Sequence, residues 1–223
     1  MSNPSNSLAA AVRELAGLSS DEGRDIYLSD GGHFENLGVY EMLRRRCAFI
    51  LVSDAGADPT CTFFDLGGLV RKAKIDFDVD ILFGHLSIGA RAELPADAPK
   101  AAWALGLVRY PEGSVGAILY LKPTYVADLP VDVQSYGNGS KAFPHESTGD
   151  QFVSESQFES YRNLGWHLAM QLGSPSYVGF KEELAVQSFF SDAFDKAQAA
   201  LADVDPMLLN RLRLRLQSGL VQG

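Results

Sequence analysis

A chain of 223 residues, 46% hydrophobic and 21% charged, suits one large α/β domain or two small ones and excludes wholesale disorder. Its formal net charge of −9 speaks against nucleic acid as a partner, and against an anionic membrane unless a basic patch (Arg44, Arg45, Arg46 or Arg211, Arg213, Arg215) docks it. No apolar run is long enough to span a bilayer, residues 1–7 carry no secretory signal, and Cys47 and Cys61 lack zinc-site spacing, so a reducing, cytoplasmic compartment is expected.

In chain order, residues 7–17 read as a short helix with Ser7 as cap and Gly17 as its end. A strand is predicted over 24–29, then a helix over 37–46 capped by Asn36. Residues 48–53 form a continuous apolar run, the mark of a strand covered on both faces, and end in the polar loop 54–59. This order predicts a right-handed βαβ unit in a parallel sheet. A helix over 63–74, a strand over 79–86 and a surface loop over 90–101 follow. Residues 104–110 and 115–122 make a hairpin around Pro111, Glu112, Gly113 and Ser114. Residues 127–155 read as loop. A helix over 155–172 has Ser154 and Gln157 as a capping box, with Phe158, Tyr161 and Leu164 as core. Helices over 179–202 and 207–216 complete the chain.

The segment with most chemical content is Ile26-Tyr27-Leu28-Ser29-Asp30-Gly31-Gly32-His33-Phe34-Glu35-Asn36. It runs an apolar strand into an aspartate and two glycines. An aspartate at the carboxyl end of a strand sits where open α/β sheets bind ligands. Gly31 and Gly32 permit positive φ and close backbone approach. The alternative is a turn aspartate that caps its own backbone. His33 is a rim residue or neighbouring donor, Glu35 a favourable charge before a helix, and Asn36 a helix cap or a brace for the aspartate loop. Asp54 ends the next strand, where it borders the same crevice or serves as a turn residue. His33 and Glu35 with Asp54 and Asp58 invite a metal reading, but a His-x-Glu pair falls short of a ligand set. No cofactor is expected.

These residues, with Ser53-Asp54-Ala55-Gly56-Ala57-Asp58 and Phe143-Pro144-His145-Glu146-Ser147-Thr148 through Arg162, resemble the C-terminal half of the patatin-like phospholipase catalytic domain. The match is closest to a bacterial branch of that family, which is related to cytosolic phospholipase A2. The resemblance covers about residues 24–172, with 173–223 a helical C-terminal extension, so the whole chain reads as a single partial domain. It implies an α/β, three-layer fold with a mainly parallel sheet. It also implies hydrolysis of lipid esters by a Ser-Asp dyad in which Asp30 is the base, supported by Gly31, Gly32, His33, Asn36 and Asp54. In such a dyad the carboxylate takes the serine proton and returns it to the leaving alcohol, while backbone amides hold the oxyanion, an effect of roughly 3–4 kcal/mol per donor. No serine here lies in Gly-x-Ser-x-Gly: Ser87, Ser114 and Ser140 all lack the spacing. The chain alone is therefore expected to be inactive. The lipid ester is expected to be met through a parent or complementing N-terminal segment, with self-association of the lone chain and membrane association of the parent. The competing reading is a non-catalytic binding module.

Overall fold

The computed structural model describes residues 7–18, 20, 30–91, 101–126, 128–147, 149, 151–172 and 183–218. The chain divides into two compact units, Met1–Asn36 and Leu37–Gly223.

In the first unit, α1 spans Ser7–Leu15. Ser7 is its first helical residue rather than a preceding cap. Gly17 ends it in the left-handed region (φ +66°), which lets Leu18 N donate back to the Arg13 carbonyl at 2.8 Å. The strand predicted over 24–29 lies outside the described residues. After Asp30 comes a single 3-10 turn, Gly31–His33.

The second unit is built on four strands, β1 (Phe49–Ser53), β2 (Asp80–Phe83), β3 (Trp103–Arg109) and β4 (Val115–Leu121), in the order β1-β4-β3-β2. The expected mainly parallel sheet is corrected to a mixed one. Among the described strands β1 and β4 run parallel, while β3–β4 and β2–β3 are antiparallel. The tight turn after Tyr110, closed by Gly113 N to the Tyr110 carbonyl at 2.8 Å, forces β4 back along β3. Gly113 adopts φ +88° there, a conformation that glycine takes at little expense.

Helices lie on both faces of this sheet. α2 (Val39–Arg44) and α3 (Phe64–Phe77) cover Ile50, Val52, Val108, Ile118 and Tyr120. α6 (Glu183–Lys196) and α7 (Pro206–Ser218) cover Leu105, Leu107 and Leu119 with Phe190, Phe194, Leu208 and Leu212. β1 departs from the strand expected to be covered on both faces, because Ile50 and Val52 are buried but Leu51 is 48% exposed. A third core joins α4 (Val131–Gly139) to α5 (Glu155–Leu172) through Val133, Phe143, Leu164 and Leu168.

Three further expectations change. α4 occupies part of the segment read as loop. Of the two glycines that suggested a loop, Gly137 is needed for packing, since a Cβ there would lie 2.5 Å from the Tyr125 ring, whereas Gly139 has open space around it. The helix after Asn36 begins at Val39 with Gly38 as N-cap (φ +71°), so Asn36 is not its cap. Phe158 is exposed on α5 rather than core. At the other end of that expectation, Ser154 Oγ does accept from Gln157 N at 3.2 Å, but the Gln157 side chain turns to Glu146, which leaves the box half made.

Candidate functional site

Asp30 has an extended backbone (φ −61°, ψ 125°) and stands as the N-cap of the Gly31–His33 turn. Its Oδ1 accepts a hydrogen bond from Gly32 N at 2.9 Å. The backbone closes around it: His33 N donates to the Asp30 carbonyl at 3.1 Å, and Phe34 N and Glu35 N donate to Gly31 at 3.0 and 2.9 Å. This is an Asx-type turn, in which the carboxylate stands in for a backbone carbonyl. Gly31 and Gly32 do not use positive φ. A Cβ on Gly32 would meet Asn36 Oδ1 at 3.0 Å and Asp30 Oδ1 at 3.4 Å, side-chain ends that would have to give by a few tenths of an ångström, so the Asn36 side chain lies beside the turn. Asp30, Gly31, Gly32, His33 and Asn36 are all exposed, while Glu35 is half-buried.

Asp54 belongs to the larger unit and sits in different surroundings. The parallel register pairs Ser53 with Leu121, and Asp54 N continues the ladder by donating to the Leu121 carbonyl at 2.9 Å. That places Asp54 beside Lys122. Asp54 is 4% exposed and Lys122 2%. Lys122 Nζ donates to Asp54 Oδ2 at 2.9 Å and to the Gly56 carbonyl at 3.2 Å. The Tyr120 hydroxyl donates to the same Oδ2, and Gly56 N donates to Oδ1 at 2.9 Å. Burial, and then the Asp54 carboxylate beside it, push the Tyr120 phenol well above its ordinary range, so it stays a donor.

The loop that follows is tied down at each turn. Asp58 accepts from Thr62 N (2.9 Å), Thr62 Oγ1 (3.0 Å) and Phe63 N (2.9 Å). Burial pushes its carboxyl up, but these donors outweigh it and the net shift is downward. Cys61 and Phe63 both hold positive φ, at 49° and 54°. Such residues persist only where surrounding contacts over-determine them. One such contact comes from a distant segment: Asp58 N donates to His145 Nδ1 at 3.3 Å. Burial, with Lys122 close by, lowers the His145 pKa and favours the neutral ring that this bond requires. Asp54, Gly56, Asp58, Thr62, Phe63 and Lys122 line a polar recess of about 120 Å³, which has room for a few waters or one small polar group.

The segment holding His145 also joins the third core. Glu146 accepts from the Ser140 hydroxyl, the Tyr136 hydroxyl at 2.9 Å and Gln157 Nε2 at 3.0 Å. Its own N–H donates to the Tyr161 hydroxyl at 3.1 Å. Arg91 reinforces this region by donating to the Gly137 carbonyl at 2.7 Å while its guanidinium lies 3.8 Å from the Tyr125 ring centre. His145 and Glu146 are therefore structural ties between the post-β1 loop, α4 and α5. Asp150 lies outside the described residues.

Asp54 and Asp58 share one loop, as their spacing suggests, whereas His33 and Glu35 belong to the first unit with Asp30. Among the described residues no group of three or more His, Cys, Asp or Glu side chains is placed to hold a metal ion. Lys122, Tyr120 and Thr62 escaped the sequence reading, although a lysine closing the apolar run of β4 was a visible signal for Lys122. Comparison of the chain with protein-family models, curated proteins and solved structures gave no match.

Proposed function

We propose that this chain is the aspartate-bearing part of a lipid acyl hydrolase, with Asp30 as the base that deprotonates a serine carried on another polypeptide segment. The observation that carries the reading is the exposed Asp30 carboxylate, held by a hydrogen bond from Gly32 N on a close turn. The resemblance of the three quoted segments to patatin-like phospholipases supplies the reaction class. The helices on both faces of the sheet agree with the three-layer arrangement of that family. On the same reading Asn36 braces the turn, and within the larger unit the Asp54–Lys122 pair anchors the end of β1. On this reading the chain works in the cytoplasm, next to a membrane-associated parent. Among the described residues, no helix is long and apolar enough to cross a membrane.

The test is complementation. An upstream segment carrying Gly-x-Ser-x-Gly, fused or supplied in trans, should confer ester hydrolysis, and Asp30→Asn should lower it by about 10²–10⁴-fold, the worth of a positioned base. The chain alone should show no turnover. Hydrolysis that survives Asp30→Asn would overturn the assignment. The turn-capping role of Asp30 favours a second reading, a non-catalytic binding module, in which Asp30→Asn changes stability and confers or removes no turnover with any upstream segment.

A further inference from the structure

Helix α5 buries Leu164 and Leu168 against α4 and turns its opposite side to solvent. That outer side carries Phe158, 60% exposed, and Trp166, 64% exposed. At 100° per residue they fall, with Glu155, Glu159 and Arg162, within an arc of about 120°. Rings of this size gain nothing from lying in water, so such a patch calls for an occupant.

Area and charge together select that occupant. At roughly 150–250 Å² per aromatic side chain, Phe158 and Trp166 expose roughly 200–300 Å². A second copy of the chain would need about 800 Å² per partner for a stable interface. Insertion into a bilayer interface needs far less, and Trp and Phe favour that zone. On the same arc Arg162 pairs with Glu159 at 2.7 Å, which leaves one net negative charge, that of Glu155, and the whole chain carries −9. Anionic lipid is therefore repelled. A quaternary ammonium is attracted by the carboxylates and by the faces of the rings.

We infer that the outer face of α5, through Phe158 and Trp166, docks on a zwitterionic, choline-bearing lipid surface. This deepens the lipid reading above and rests on it for the presence of such a surface, while using none of the Asp30 turn.

The chain has two tryptophans, Trp103 and Trp166. A Trp103→Phe variant leaves Trp166 as the sole reporter. Titration with phosphatidylcholine vesicles should shift its emission to the blue and expose it to quenching by lipids brominated near the headgroup. In that background Phe158→Glu should weaken partitioning at least tenfold, and phosphatidylglycerol vesicles should bind less well than phosphatidylcholine. Asp30→Asn should leave the shift unchanged, so failure of hydrolysis and failure of docking are separate outcomes. The inference is overturned by an unshifted Trp166, by unchanged partitioning of Phe158→Glu, by tighter binding to phosphatidylglycerol, or by a shift that follows protein concentration without lipid, which would assign the face to a second copy. If Trp103→Phe fails to fold, co-sedimentation of the unaltered chain and its Phe158→Glu variant with sucrose-loaded vesicles makes the same comparison.

Discussion

Lys122 is almost wholly removed from water and forms a buried salt bridge with Asp54. Removing one partner of such a pair leaves the other charge buried and unmatched. Lys122→Met is therefore expected to destabilise the chain by about 3–5 kcal/mol, read as a lowered urea midpoint. The double variant Asp54→Leu/Lys122→Met should recover much of that loss, because no orphan charge remains. A Lys122→Met variant with an unchanged midpoint would show that the pair is not buried in solution. The turn role considered for Asp54 was legible from its own neighbourhood, since Gly56 lies two residues on. Its ion pair was not, because Lys122 comes alongside only through the register of β1 on β4. The Asp30 turn was legible for the same local reason, as the bonds that close it run among residues 30–35.

Among elements, those whose signal is contained in a short window were readable. β1 announced itself by its apolar run, and the β3–β4 hairpin by Pro111 and Gly113. α4 was hidden because Gly137 and Gly139 have low helix propensity, and the Tyr125 and Phe143 rings that favour a glycine at 137 lie elsewhere in sequence. Phe158 was misread for a different reason: helical spacing marks a stripe but does not say which stripe faces inward. β1 also carries a prediction. Among the described residues it pairs with β4 alone, and Leu51 on it is half exposed. A strand with an open side is a template for another chain. The isolated chain is expected to self-associate in light scattering, and Leu51→Lys should reduce that association. A Leu51→Lys variant that associates as strongly would place the contact elsewhere.

For the molecule as a whole, stability should depend on pH in two stages. The folded His145 has a pKa below its unfolded value of about 6.5, first through burial and then through Lys122. Its contribution is complete above that value and is lost as pH falls through the folded pKa. Asp58 and Glu146 are also shifted down, because their donors outweigh the upward push of burial. Their contributions hold above the unfolded carboxylate values of about 4 and disappear as pH falls through the lower folded ones. Urea midpoints measured from about pH 8 to 4 should decline first below about 6.5. His145→Gln, whose amide oxygen can still accept from Asp58 N, should flatten that first decline and change little at high pH. A decline that persists in this variant would exclude His145 as its source.

One face of the sheet is roofed by α6 and α7, which follow every strand in the chain. During synthesis, β3 and β4 leave the ribosome with Leu105, Leu107 and Leu119 bare and must wait for Phe190, Phe194 and Leu212 to be translated. The newborn polypeptide therefore passes through an interval in which a greasy sheet is complete and its lid does not yet exist, a state that invites chaperones or clumping.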